Sequence, residues 1–310
     1  MNIRDLSYFI AVYEERSFTK ASERVHVVQS ALSMRIRNLE EELGTRLFDR
    51  SSRGLDPTLT GARLYELVVP ITRNVAAVKQ EIIDLGQGST VAGSVRIGLP
   101  PSICHGVIGE LLCDYTARFP NVRLSIVEEY SRGLTEQVQQ GLLDAALGAM
   151  PSNRSSLIYE PAFVDYFVFV SGAPVLGENL TPCDVYGLRS LKLIMPSERH
   201  LIGSILQGFI KSGKIIPDRV MCIDGVVSSL ALARRSDWVC IFPAIALTKE
   251  ITSGSLFIYP ISKPALRFDL YRVHDPRRPL SLATRFFFDM LSSAMAGAEA
   301  ARMAALGSER

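Results

Sequence analysis

The sequence predicts an α/β protein with an N-terminal all-α winged helix-turn-helix, a long linker helix and a two-lobed C-terminal region. Three observations carry this reading. Two short amphipathic helices joined by a tight turn fit residues 17–43; an apolar seam alternating by 4 and 3 runs from Leu64 to Leu85; beyond Gly93, strand-like and helix-like runs alternate. The boundaries drawn from these patterns are 1–59, 60–88 and 89–310, and a chain of 310 residues is long enough for each unit to bury a core.

In the head, Leu6, Phe9, Ile10 and Tyr13 give a first helix its apolar face. Ser17 can cap the next, on which Phe18, Ala21 and Val25 share one side. His26, Val27 and Val28 are too few for anything but a corner. The following helix places Leu32, Ile36, Leu39 and Leu43 in one buried stripe, and turns Gln29, Ser30, Ser33, Met34 and Arg37 the other way. A helix-turn-helix needs this division, because one face holds the helix while the other enters the major groove. Gln pairs with an adenine edge, Arg with guanine or phosphate, Ser with either. Gly44 can end the helix in a left-handed turn, and a Gly- and Pro-punctuated hairpin carrying Arg50 and Arg53 follows as a wing. The candidate DNA-facing set is Thr19, Lys20, Gln29, Ser30, Ser33, Met34, Arg35, Arg37, Arg50 and Arg53. Residues 1–59 hold nine Lys or Arg and nine Asp or Glu, so binding rests on where the charges lie. Arg35, Arg37, Arg46, Arg50 and Arg53 are expected to face phosphates, with Glu40, Glu41 and Glu42 turned away.

The linker helix is expected over 60–85. At about 1.5 Å per residue it spans roughly 39 Å, too long to pack on a small head alone. Leu64, Val68, Ile71, Val75, Val78 and Ile82 form the seam, most simply covered by the same helix of a second subunit. Pro70 interrupts the hydrogen-bond ladder, and residues 86–90 (GQGST) read as a flexible hinge.

Strands are expected at 94–99, 122–127, 144–148, 167–170, 191–195, 220–223, 238–242 and 265–273. Helices are expected at 101–119, 134–141, 201–211, 226–234 and 282–296. Alternation of this kind makes a parallel sheet with covered faces, and two similar halves make two lobes with a cleft.

The stretches LSYFIAVYEERSFTKASERV, VQSALSMRIRNLEEELGTRLFDR and DPTLTG resemble the LysR-type transcriptional regulators, in residue order and in spacing. The resemblance is dense over roughly the first sixty residues and extends more weakly to the C-terminus. It implies a dyad-symmetric operator in double-stranded DNA, a homodimer or homotetramer that bends the DNA, and a periplasmic-binding-protein-like effector domain. It also implies that the chain crosses between lobes near Phe163 and again near Lys263. Three positions depart from the family: Val28 where Ser or Thr is usual, Ser30 for Pro and Met34 for Arg. Val28 cannot cap its helix, and the other two change the contact face.

Ligands in open α/β sheets lie beyond the carboxyl ends of strands, facing helix N-termini. Ser102, Ser131 and Ser197 follow such strand ends, where free N–H groups and the helix dipole favour an anion. The resemblance carries the family's effector contacts onto the same loops. The candidate effector set is Ser102, Ile103, Ser131, Ser197, Arg199 and Phe242, holding a small carboxylate. A serine before a helix is by itself usually a cap, and His200 beside Arg199 reads as a solvated or capping residue.

Other classes fit less well. No GxSxG or HExxH occurs, and the four histidines are scattered; GFIKSGKI at 208–215 fails as a phosphate loop because Ile215 stands where Ser or Thr must hold magnesium. The five cysteines have no metal spacing and read as free thiols, with Cys104 beside a proposed binding loop. No cofactor or metal is implied. With no signal peptide and no apolar run of roughly 20 residues, the chain is expected to be cytoplasmic and free of membrane. A solute-binding protein, the alternative that two lobes raise, is opposed by the head.

Overall fold

The computed structural model describes residues 1–51, 54–87, 91–151 and 156–307. It contains two compact units, one of residues 1–90 with 139–142 and a second built from 91–138 and 143–310.

In the first unit, α1 (Ile3–Glu15), α2 (Phe18–Arg24) and α3 (Gln29–Leu43) lead to a hairpin of β1 (Phe48–Ser51) and β2 (Gly54–Pro57), then to α4 (Leu59–Gln87). The local chemistry explains the boundaries. Asn2 and Asp5 form a reciprocal capping box on α1. Ser17 Oγ accepts from the Lys20 N–H at 3.4 Å, whereas Val28 starts α3 with no side-chain cap. Gly44 ends α3 at φ +65°. Leu6, Phe9, Val12, Ala21, Leu32, Ile36 and Leu39 fill the core with Leu47 and Phe48 of the wing. Leu43 lies outside the expected stripe, 39% exposed.

The second unit opens with β3 (Gly93–Leu99), α5 (Pro101–Gly106), α6 (Ile108–Arg118), β4 (Val122–Glu128), α7 (Ser131–Gln139) and β5 (Ala145–Gly148). One helix was expected over 101–119. The break follows from Gly106, where a Cβ would lie 2.1 Å from the Ile245 carbonyl oxygen; the helix is pressed onto another segment there. The long strand β6 (Ile158–Ser171) pairs antiparallel with a later strand through residues 158–166 and continues into the second lobe. That lobe contains β7 (Cys183–Asp184), β8 (Lys192–Met195), α8 (Leu201–Lys211), β9 (Arg219–Cys222), α9 (Val226–Ala233), β10 (Trp238–Pro243), α10 (Thr248–Ser253) and β11 (Phe257–Lys263). The chain then returns as β12 (Arg267–His274) and α11 (Leu282–Gly307).

The sheet order is β4-β3-β5-β12-β6-β10-β8-β9, with β11 beside β6 and β7 beside β11. Pairs within each half, β3 with β4 and β5, and β8 with β9 and β10, are parallel. The crossing strands pair antiparallel. The crossings fall where β6 passes from Phe163, paired with β12, to Phe167, paired with β10, and where β11 ends at Lys263. One core lies under the first half, around Ile97, Leu99, Tyr115 and Phe287. Two others flank the second half, around Phe169, Leu206 and Tyr259, and around Val170, Leu230 and Trp238. The Ala-rich tail continues α11, and its Arg302 is buried against Asp165 of β6 at 3.2 Å.

One expectation on the linker is corrected. Gly86 and Gln87 continue α4 instead of forming a hinge, while residues 88–90 lie outside the described ones. Pro70 lies within α4, which continues past it.

Gly61 fixes how α4 meets the wing. A Cβ there would lie 2.1 Å from the Leu47 carbonyl oxygen, which already accepts the Thr58 N–H at 3.0 Å. Gly61→Ala is expected to destabilise the head by about 1–3 kcal/mol, because the backbone must move to admit a methyl group. Thermal denaturation of the two proteins side by side checks this; equal melting temperatures would show that the contact yields freely.

Candidate DNA-reading face and effector cavity

The outer face of α3 carries Gln29, Ser30, Met34 and Arg37 exposed to solvent, with Ser33 half-buried. Thr19 and Lys20 are exposed in the first turn of α2. Arg35 is partly spent within the head, its guanidinium 3.6 Å from Asp5 of α1. Arg53 lies outside the described residues, and Arg50 is placed in β1 by its backbone alone. The expectation that three glutamates simply turn away is revised. Glu40 accepts the N–H groups of Leu47 and Phe48 at 2.7 and 3.3 Å and so ties α3 to the wing. Glu42 pairs with the N-terminal amine. Glu41 lines the same recess as Ser33, Arg37 and Arg46.

The expected seam on α4 divides in two. Leu64 and Val68 belong to the head's own core, Val68 being 2% exposed, and Tyr65 stacks on Tyr13 at 4.0 Å with its hydroxyl donating to Glu14 at 2.6 Å. Ile71, Val75, Val78 and Ile82 are 46%, 45%, 57% and 65% exposed, an apolar stripe on one chain.

The second unit holds a cavity of ≈ 150 Å³ at the carboxyl ends of strands from both halves. Pro100, Ser102, Tyr130, Ser131 and Ala149 line it from the first lobe. Met195, Arg199, His200, Ile223, Asp224 and Phe242 line it from the second, and Phe167 and Phe268 lie at the crossing. The wall is mostly apolar. Ser102 is buried, and among the described residues its hydroxyl makes no hydrogen bond. Ser131 Oγ accepts the Ala149 N–H at 3.0 Å, which joins the start of α7 to the end of β5.

Two candidates are displaced. Ile103 is fully buried in the first lobe's core and does not line the cavity. Ser197 does not begin a helix, since α8 starts at Leu201 with His200 as its N-cap. Instead the Ser197 N–H and hydroxyl donate to the Asp224 carboxylate at 2.7 and 3.2 Å. His200 Nε2 lies 3.2 Å from the same carboxylate and an Arg199 nitrogen 3.6 Å. Burial works against ionisation of Asp224, but the Ser197 donors and His200 outweigh it and hold the carboxyl below its ordinary range. His200 is therefore not a solvated residue: its side chain is 10% exposed and its ring lies 3.6 Å from that of Tyr130. The Tyr130 hydroxyl in turn donates to the Asp224 backbone carbonyl, a contact from one lobe to the other. Tyr130 and His200 were missed as site residues. The available signal was their place one or a few residues after a strand end, which Ser131 and Ser197 shared.

Cys104 lines no part of the cavity; burial, with Glu128 nearby, pushes its thiol up to about 12.

The family model for the LysR substrate binding domain matches residues 88–296. A second, for the bacterial regulatory helix-turn-helix protein of the lysR family, matches residues 3–62. The chain belongs to the LysR family. Among curated relatives, the hydrogen peroxide-inducible genes activator of Pectobacterium carotovorum subsp. carotovorum is 27% identical over 280 residues, covering 90% of this chain and 92% of that one. The uncharacterized HTH-type transcriptional regulator YwbI of Bacillus subtilis is 39% identical over 153 residues, covering 49% and 50%. A full-length OxyR variant from Pseudomonas aeruginosa shares the fold with a TM-score of 0.67 at 21% identity, covering 95% and 94%. Full-length CbnR complexed with its target DNA does so with 0.63 at 17%, covering 95% and 100%. As a LysR member the chain is a DNA-binding transcription regulator with an effector-binding domain, not an enzyme. Among the described residues no helix is long and apolar enough to cross a membrane.

The divided seam has a measurable consequence. Val75→Asp with Val78→Asp places charge in the exposed stripe and should yield smaller species in analytical ultracentrifugation while the head stays folded. Val68→Asp should instead unfold the head. An unchanged assembly in the double variant would show that the stripe is not the subunit contact.

Proposed function

We propose that this LysR regulator reads a dyad-symmetric operator with Gln29, Ser30, Ser33, Met34 and Arg37 of α3, aided by Thr19, Lys20 and the wing arginines Arg50 and Arg53. Its exposed α4 stripe, Ile71 to Ile82, joins two chains, and pairs of dimers give the tetramer. Its effector is a compact organic acid seated in the cavity, with an apolar body against Met195, Phe167 and Phe242 and its carboxylate toward Ser102. The observation that carries the effector reading is the cavity itself: ≈ 150 Å³, lined from both lobes, with the buried Ser102 hydroxyl unpaired. Apolar cavities of about that volume hold a molecule near the size of benzene. Ser131 and Arg199 frame the entrance side, Arg199 being 85% exposed. Because both lobes touch the ligand, its binding favours one lobe angle over another, and only such differential contact can move the DNA-reading heads.

The name of the Pectobacterium relative, hydrogen peroxide-inducible genes activator, points to hydrogen peroxide as that protein's signal. None of the residues found lining the cavity is a cysteine, and burial pushes the thiols of Cys183 and Cys240 up to about 11 and about 12. A reactive thiol needs the opposite shift, and the exposed Cys113 and Cys222 lie outside the cavity, so the cavity itself is read as a ligand site.

Gln29→Ala and Ser33→Ala are each expected to cost about 1–3 kcal/mol at the operator and little on random DNA. Arg37→Ala should weaken both and lower the salt slope by about one. Fluorescence anisotropy over a salt series separates these, and equal losses on specific and random DNA for all three variants would remove α3 as the reading element.

For the effector, a thermal-shift screen of small aliphatic and aromatic acids on the full chain should find one that raises the melting temperature with dose. Ser102→Ala should then weaken its binding by one to two orders of magnitude, about 1.5–3 kcal/mol for a hydrogen bond to a charged group. If calorimetry finds the acid bound equally by wild type and variant, Ser102 is structural only.

A further inference from the structure

His200 is half of an arrangement that the carboxylate reading does not use. Its Nε2 lies 3.2 Å from Asp224 Oδ1, and that carboxylate also accepts the Ser197 N–H at 2.7 Å. An ionised carboxylate only accepts, so this contact favours a proton on Nε2. In the neutral ring the lone pair is then left on Nδ1. That atom is buried and has no hydrogen-bond partner among the described residues, on a side chain 10% exposed that lines the cavity. The groups that face the ring are Asp224, the Tyr130 ring at 3.6 Å and, across the shared carboxylate, the Arg199 guanidinium at 3.6 Å from Asp224. A buried acceptor with nothing to accept is costly to leave empty, and a ligand that supplies a donor removes that cost.

We propose that His200 selects the effector: beyond an acid group toward Ser102, the effector carries a hydroxyl or N–H that donates to His200 Nδ1, with Asp224 as the positioning residue that fixes the ring's tautomer. The ligand class is a hydroxy- or amino-substituted small acid, and the plain acid is the disfavoured analogue. A site built around a hydrogen bond rejects a ligand lacking the donor more strongly than it rejects a change of one methylene. This inference rests on the reading that the cavity is the effector site.

The test uses the full chain with 15N-labelled histidine rings, the His200 signals being assigned with His200→Gln. At a pH high enough for the ring to be neutral, the free protein should show His200 protonated on Nε2, and Asp224→Ala should erase that preference. The probes are benzoate, 3-hydroxybenzoate, 3-aminobenzoate and 3-methoxybenzoate, with propionate and lactate as the aliphatic pair. The hydroxyl or amino probes should move the Nδ1 resonance and bind about tenfold tighter than the parent or methoxy acid, the worth of one neutral hydrogen bond. The advantage should vanish in His200→Phe while the parent acid still binds. A hydroxyl advantage without an amino one, or the reverse, names the donor. A proton on Nδ1 in the free protein overturns the proposal, and so does equal binding of methoxy and hydroxy acids, which leaves the cavity reading intact. If no probe of either series perturbs His200, the cavity is not the effector site and both readings fall together.

Discussion

The second unit depends on a buried carboxylate at the lobe crossing. Asp165 lies in β6, opposite Phe268 of β12, just before the strand begins to pair with β10. It is 3% exposed. Burial drives its carboxyl pKa up, while Arg302 at 3.2 Å and the Ile245 N–H at 2.6 Å pull the other way. An ion pair this deep contributes little net stability, because desolvation offsets most of the attraction. Its effect is positional. Removing either partner strands the other in an apolar surround, so β6, the segment after β10 and the last helix are held to one geometry. The cavity is built beside that geometry, with Phe167 and Phe268 at the crossing forming part of its wall.

This dependence explains which parts of the molecule were legible in the sequence. The head was, because its signals are local: a 3.6-residue apolar period, a capping serine and a glycine stop. Strand β6 was only partly legible. Its first half reads IYEPAFVDY, with a proline and two acids, and no periodicity favours a strand there. It is a strand because β12, about a hundred residues later, supplies its partners. Ser102 and Ile103 show the same limit at finer scale. Both occupy a six-residue helix, and only the packing of Ile103 into the core decides that Ser102 faces the cavity. Asp224 was visible as a residue after a strand end, but nothing local showed that it would reach back 27 positions to Ser197.

The Asp224 cluster also changes the expected electrostatics. Three serines at helix starts would have made a site that is cationic by backbone dipoles alone. One of those serines donates to an internal carboxylate instead, so the second lobe's share of the cavity already holds a negative charge with its partners. The unused donor, Ser102, lies on the first lobe's side. On the second lobe's side, His200 Nδ1 has no hydrogen-bond partner among the described residues. The unpaired polar groups are thus divided between the two walls.

Helix α4 imposes the remaining constraint. One continuous helix supplies Leu64 and Val68 to the head's core and, within about three further turns, exposes Ile71, Val75 and Val78. The Tyr65 ring and hydroxyl fix the rotation of the helix against α1 through Tyr13 and Glu14. Gly61 fixes its height against the wing. The direction in which the exposed stripe points is thus set by the same contacts that set the direction of α3. A rotation of the stripe about the α4 axis would therefore turn α3 with it. Val28 bears on this as well. With no side chain to cap α3, the helix is held by its apolar stripe, by Arg35 beside Asp5 of α1 and by the Glu40 link to the wing. Its first residues, Gln29 and Ser30, are exposed and follow an uncapped start.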